Sequence, residues 1–196
     1  MKYTFLAFLS RMKYINRWSL MRNTIQENIQ EHSLQVAMIA HILAVTKNLY
    51  FGGNVNPDRI AVMGMYHDGT ETITGDMPTP IKYMNSDIQL AYKKVEYIAT
   101  QKLLTMLPNE MQDTFAGILH PAEDESWKLV KAADRISAYI KCIEEDKAGN
   151  KEFKKAAESI YSSITSIGLP EVNYFMENFL PSFFLSLDEI EDEGVI

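Results

Sequence analysis

A histidine and an aspartate stand side by side at His67 and Asp68, at the end of an apolar run. Counting back from His67 in helical steps gives Gly64, Met63 and Ile60, which places the imidazole on the inward stripe of a helix. A carboxylate beside a buried face costs several kcal/mol unless a cation or good hydrogen bonds satisfy it. A bound metal ion would satisfy both side chains. If the helix continues for one more turn, Glu71 shares the face of His67 and adds a third titratable group just above that ion. His32 falls on the core face of an earlier helix, in step with Val36, Ile39 and Leu43. Asp134 shares a later stripe with Trp127, Val130, Ser137 and Ala138, and periodicity leaves it open between a surface group and a buried ligand. His41 is about 180° round the helix from His32 and cannot point at the same metal. His120, beside Pro121 in a polar loop, is expected to face solvent.

A second group of residues suits an anion and a flat ring. Tyr14 to Glu27 shows no sustained helical period and reads as a long structured connection, the kind of segment that carries function. Within it Arg17 offers a bidentate phosphate donor and Trp18 a broad apolar surface. The plainer reading is a surface cation beside a partly buried indole. Past Glu71, the breaks at Gly75, Pro78 and Pro80 return Asp76 towards the helix end that carries His67 and Asp68.

The elements that must position these residues are all helical. Phe5, Phe8, Leu9 and Met12 follow the spacing of an amphipathic helix; the short run from Tyr3 to Leu9 lacks the length and cleavage pattern of an export signal. A long helix is expected from about Asn28 to Lys47, with Asn28 as N-cap and Glu31 as its capping-box partner. Asn56 and Pro57 open the helix leading to His67. An amphipathic helix from about Ser86 to Leu107 carries Leu90, Val95, Ile98, Leu103 and Leu104. Further helices are expected near Asn109 to Leu119, Glu125 to Asp146, Lys151 to Ser166 and Pro170 to Leu187, with a frayed acidic tail from Ile190 to Ile196. No strand alternation or internal repeat occurs, so the expected fold is all-α, with residues 1–196 forming one domain.

Composition narrows the function. The 19 Lys and Arg against 26 Asp and Glu give a net charge of -7, which offers no general attraction to a nucleic acid polymer. No apolar stretch approaches the 18 or so residues of a membrane span. The single cysteine, Cys142, falls inside a helical stretch, reads as a core residue and agrees with a reducing cytoplasm.

His32, then His67 with Asp68, then Asp134 give the order H...HD...D on inward helical faces. This pattern resembles the HD-domain metal-dependent phosphohydrolases. Two imidazoles and two carboxylates without a thiolate suit a divalent ion such as Co²⁺, Mn²⁺ or Zn²⁺. The segments Ile15 to Asn23, Glu27 to Ala37, Phe51 to Asn56, Tyr66 to Asp68, Thr74 to Tyr83 and the stretches from Tyr174 to Glu189 look like the bacterial 5'-deoxynucleotidases of that superfamily. The resemblance implies an HD-domain helical bundle with packed N- and C-terminal helices. It also implies a cytoplasmic homodimer that hydrolyses deoxyribonucleoside 5'-monophosphates to deoxyribonucleoside and phosphate. By the same resemblance, the metal ligands would be His32, His67, Asp68 and Asp134. Arg17 would hold the phosphate, Trp18 shape the sugar pocket, Asp76 bind the sugar hydroxyl and Glu71 serve in proton transfer. Glu71 could supply a proton to the leaving 5'-oxygen or orient the attacking water. Two other readings stand beside this one: an HD hydrolase of cyclic nucleotides or deoxynucleoside triphosphates, and a non-catalytic metal-binding regulatory module. A triphosphate enzyme should carry several more cations near the metal, where only Arg17 and Lys82 are apparent.

Overall fold

The computed structural model describes residues 2 to 194, and these form an all-α bundle with no strand among them. In chain order the helices are α1 (Phe5–Leu9, running on as a 3-10 helix over Ser10–Tyr14), α2 (Ile29–Tyr50), α3 (Pro57–Tyr66), α4 (Glu71–Thr74) and α5 (Thr79–Lys82). There follow α6 (Ser86–Leu104), α7 (Asn109–Leu119), α8 (Glu125–Lys147), α9 (Lys154–Thr165), α10 (Pro170–Asn178) and α11 (Leu187–Gly194).

Local capping chemistry starts the long helices. The Asn28 side chain accepts from the Gln30 and Glu31 amides while Glu31 reaches back to the Asn28 amide, so the expected capping box forms. Asn56 accepts from Arg59 N–H ahead of Pro57, Asn85 caps α6, and Asp124 caps α8.

The larger core lies where α2, α3 and α8 meet, closed by α9 and α10. Leu43, Ile60, Ile136 and Ile140 are fully buried there. Each contributes about 1.5–3 kcal/mol relative to leaving it in water. A second cluster gathers Phe5, Leu9 and Met12 against Ile29, Leu103, Leu104 and Leu119. The N-terminal amphipathic helix therefore packs as its spacing predicts, and Cys142 is buried, also as expected.

Helices α2 and α3 approach closely at Gly64. A Cβ there would lie 2.8 Å from the Ala37 Cα and 3.0 Å from its nitrogen, both backbone atoms that cannot swing aside. Gly64→Ala must therefore push apart the helices carrying His32 and His67. Overpacking of this kind costs about 1–3 kcal/mol, so the variant is expected to melt earlier and to hold metal more weakly. Thermal unfolding with and without added Mn²⁺ checks this, and an unchanged melting temperature would contradict it.

Three expectations need correction. Leu90, Val95 and Ile98 do not face the core: they are exposed, and α6 instead buries Tyr92, Ala99, Leu103 and Leu104. The C-terminal segment expected from Pro170 to Leu187 is split into α10, a 3-10 helix over Leu180–Phe184, and α11. Pro181 lacks the amide needed to continue α10. The tail expected to fray from Ile190 is helical through Gly194, and its last two residues lie outside the described ones.

Candidate active site

His32 ends the first turn of α2, almost wholly buried at 1% exposure. His67 and Asp68 directly follow α3. The ligating atoms of His32, His67 and Asp68 all lie within 4.8 Å of one another, the spacing one metal ion requires. His32 Nε2 is 3.0 Å from Asp134 Oδ1 and 3.6 Å from Asp68 Oδ2. Asp134 therefore faces this cluster from α8, and the ambiguity left by its periodicity is resolved inward. His41 lies apart, half-exposed and 3.5 Å from Asp58. His120 is exposed, with its ring against Tyr97.

The donor set fits a divalent cation. His67 Nδ1–H donates to the Gly64 carbonyl at 2.8 Å, which leaves the lone pair on Nε2. That atom is buried without a hydrogen-bond partner and faces Asp68 Oδ2 at 3.2 Å, one electron-rich atom against another. Only a proton or a metal ion between them relieves this contact. Burial lowers the His67 proton affinity, but the charge and hydrogen bond of Asp68 together with Asp134 and the Gly64 carbonyl outweigh it, and the net shift is upward. Burial raises the Asp68 carboxyl, yet His67 more than offsets this and brings it down to about 2. Asp134 is likewise held well below the usual carboxylate range: burial opposes ionisation, and the contact with His32 together with the positive charge of His32, His67 and Arg17 overcomes it. Burial and the Arg17 guanidinium depress His32, which is therefore neutral at pH 7, the form that ligates. His32 Nδ1 is 2.8 Å from Arg17 Nη1 and 3.0 Å from Ser137 Oγ, which itself donates to Gln35 at 2.6 Å.

Glu71 reaches the site by a route the sequence did not suggest. The further helical turn on which the shared face of His67 and Glu71 was conditional does not form. Instead, α3 stops at Tyr66, tight turns carry Gly69 N–H to the Tyr66 carbonyl (2.9 Å) and Glu71 N–H to the Asp68 carbonyl (3.0 Å), and α4 begins at Glu71. Gly69 and Thr70 are weak helix formers, and the turn wins. The Glu71 carboxyl is still buried, with Oε2 unpartnered. Burial, then the charges of Asp68 and Asp76, push it up to about 10 against the opposing pull of Arg17 and Lys82. Asp76, returned by the loop after Gly75, is close enough to Arg17 and Asp68 for their charges to act on it; burial is the main cause of its raised proton affinity.

The connection between Ile15 and Ile29 closes on itself. Arg17 N–H donates to the Glu27 carbonyl (2.9 Å) and Ile29 N–H to that of Ile15 (3.0 Å), with Asn16 and Asn28 bridged between them. This places Glu27, which sequence reasoning did not single out, beneath the two residues it did. One oxygen, Glu27 Oε2, accepts from Arg17 Nη1 at 2.7 Å and from Trp18 Nε1 at 3.0 Å. The indole also packs edge-on against Phe153 at 5.2 Å. Trp18 has φ +60°, the only positive value at a non-glycine among the described residues. A bulky residue held there costs on the order of 1–3 kcal/mol and persists only when its surroundings enforce it. No periodic signal marks Glu27, because its contacts run across a loop closure. Lys82 donates to Glu96 at 2.9 Å and lies over the Tyr92 ring, so its charge is already paired.

A family model described as 5'-deoxynucleotidase YfbR-like matches residues 4–183. A 5'-deoxynucleotidase of Cronobacter sakazakii is 56% identical, covering 97% of this chain and 96% of that relative. The 5'-deoxynucleotidase YfbR of Escherichia coli O1:K1 / APEC is 55% identical over 97% and 96%. Among solved structures, an HD-domain phosphohydrolase from Listeria innocua superposes with a TM-score of 0.81 at 20% identity, covering 96% of this chain and 92% of its own. The cyanophage S-2L HD phosphohydrolase, bound to dA and one catalytic Zn²⁺ ion, gives a TM-score of 0.65 at 18% identity, over 93% and 98%. The chain belongs to the YfbR-like 5'-deoxynucleotidase family, on the all-α fold of the HD-domain phosphohydrolases.

Proposed function

We propose that in this 5'-deoxynucleotidase His32, His67, Asp68 and Asp134 hold one divalent ion against which a deoxyribonucleoside 5'-monophosphate is hydrolysed to deoxyribonucleoside and phosphate. The observation that carries the proposal is the convergence of three ligating atoms within 4.8 Å. The buried acid Glu71 and the buried cation Arg17 act on the same site. When bound, the ion supplies positive charge against the phosphate dianion and acidifies a water molecule. Co²⁺, Mn²⁺ and Zn²⁺ all suit this mixed nitrogen and oxygen donor set.

Arg17 turns its guanidinium to the phosphate oxygens, adding charge-assisted hydrogen bonds where negative charge builds up. Glu71 is a neutral acid at pH 7 with its carboxyl pushed up to about 10, so it has a proton to give the departing 5'-oxygen, directly or through water. Asp76 accepts the 3'-hydroxyl. Trp18 closes the 2' edge of the sugar, where a ribose hydroxyl would find neither space nor partner.

A monophosphate fits better than a triphosphate. Arg17 is paired with Glu27 through Nη1 but keeps Nη2 towards Asp134 at 3.9 Å, whereas Lys82 is paired with Glu96. The homodimer is supported by the exposed apolar face of α6, where Leu90, Tyr97 and Ile98 stand in water. A cytoplasmic location accords with a single buried, unpaired thiol. No helix among the described residues is long and apolar enough to cross a membrane.

Leaving a hydroxyl buried and unpaired costs roughly 1–3 kcal/mol. The kcat/KM for dAMP should therefore exceed that for AMP by at least about tenfold, the ratio that corresponds to about 1.4 kcal/mol. Trp18→Ala is expected to narrow this gap. An unchanged ratio in a folded variant would rule out the role given to the indole.

A further inference from the structure

The stripe of α8 that presents Asp134 and Ser137 to the metal cluster continues at steps of four to Lys141 and Glu145. These two have no part in the chemistry, yet they are buried to 2% and 0% exposure. Glu145 is the end point of four donor groups. The Thr24 amide reaches both its oxygens at 3.1 and 3.0 Å, the Ile25 amide reaches Oε1 at 3.1 Å, Asn150 Nδ2 reaches Oε2 at 2.7 Å, and Lys141 Nζ completes the set. Lys141 also donates to the Ile25 carbonyl, and Asn150 to the Arg22 carbonyl at 2.8 Å. Apart from the bond between Asn150 and Glu145, every one of these contacts beyond the helix lands on backbone between Arg22 and Ile25, in the loop that carries Arg17 and Trp18.

We propose that Glu145, Lys141 and Asn150 form a buried seat that fixes the loop from Arg17 to Glu27, making them positioning residues for the phosphate-holding and sugar-facing side chains. The inference rests on the roles given above to Arg17 and Trp18. Buried ion pairs add little net stability compared with apolar packing, whereas a fully satisfied one fixes a single geometry. Here the geometry fixed is backbone: the amides of Thr24 and Ile25 cannot shift without taking two of its four donors from a carboxylate in the core. Asn23 Nδ2, next in the chain, donates to the Trp18 carbonyl at 3.2 Å and to the Met21 carbonyl at 2.9 Å, carrying the constraint to the residue held at φ +60°. Asn150 is brought back under Glu145 by Gly149, whose φ of +80° is open to glycine without strain. One rigid helix thus sets both the metal ligand Asp134 and the seat of the loop, which fixes the distance from metal to guanidinium.

The test is Glu145→Gln, which keeps the shape but presents an amide donor to donors and leaves Lys141 without its counter-charge. Full-length, metal-loaded protein is compared with the wild type for metal stoichiometry, amide exchange at Thr24 and Ile25, and kinetics on dAMP and AMP. Metal content is expected to be unchanged while exchange at both amides accelerates. The kcat/KM for dAMP should fall at least about tenfold, since a displacement of about 1 Å away from the reacting atoms can cost about a hundredfold. The dAMP to AMP ratio should narrow, as in Trp18→Ala. Lys151→Ala, which removes an exposed ion pair with Asp146 near the same helix end, should change none of these. If Glu145→Gln only melts earlier, with wild-type exchange at the two amides and an unchanged ratio, the residue is structural and the proposal is wrong. Should that variant fail to fold, Asn150→Ala removes the bonds to Arg22 and Glu145 while leaving the carboxylate with Lys141, and is read in the same way. If Arg17→Ala and Trp18→Ala themselves leave the kinetics untouched, the roles of those two residues fail instead, and exchange at Thr24 and Ile25 still decides the seat.

Discussion

Replacing Asp68 with alanine is expected to remove bound metal and turnover together. The carboxylate is both a proposed ligand and the partner that His67 Nε2 faces at 3.2 Å, so its loss leaves only two buried imidazoles and Asp134 to hold the ion. Changing a residue that only supports a ligand commonly lowers metal affinity about 10–100-fold, and losing a ligand outright should exceed about a hundredfold. His67→Ala is expected to behave alike, because the fixed tautomer donating to Gly64 exists to leave Nε2 free. His41→Ala should retain metal and activity, since its ring lies outside the cluster beside Asp58. Metal analysis of the purified variants checks this: full occupancy in Asp68→Ala, or loss in His41→Ala, would refute the assignment.

Glu71→Ala should separate binding from chemistry. The carboxyl is given a proton-transfer role and is not one of the four proposed ligands, so the metal and the nucleotide should still bind. Turnover should fall by at least about a hundredfold, the usual size of a lost acid or base. Removing the carboxyl also takes away a buried oxygen without a partner, so the variant is not expected to unfold more easily. Calorimetry with a slowly turned-over nucleotide measures the binding side. If affinity falls in step with the rate, Glu71 is a binding residue and the proton has another source.

What could be read from the chain was local. Asn28, Asn56 and Pro57 mark helix starts because a cap is made by residues within one turn of each other, and the structure forms those caps as expected. His32, His67 and Asp68 could be placed inward for the same reason. Their convergence with Asp134 depends on how α2, α3 and α8 pack, which no single helix reveals. Glu71 was assigned the right neighbourhood by the wrong path, since Gly69 diverts the helix and a turn restores proximity. On α6 the period of Leu90, Val95 and Ile98 marked an apolar face without saying what it meets. The core took Tyr92, Ala99 and the last two leucines, and left that face in water. Glu27 and Glu145 escaped notice because their partners lie across a loop closure or some 120 positions away, as Glu145 does from Thr24 and Ile25.

The most direct test of the account is hydrolysis of dAMP, AMP, dATP and 3',5'-cyclic AMP by the same enzyme, read as the nucleoside, nucleotide, phosphate and triphosphate products, once stripped with chelator and once with Mn²⁺ or Co²⁺ restored. The stripped enzyme should be inactive on all four. The restored enzyme should release phosphate from dAMP, with at least about tenfold lower kcat/KM on AMP, as expected for an unpaired buried hydroxyl, and little turnover of the triphosphate or the cyclic ester. Full activity on dAMP without metal, or faster turnover of dATP than of dAMP, would contradict the reading of this site.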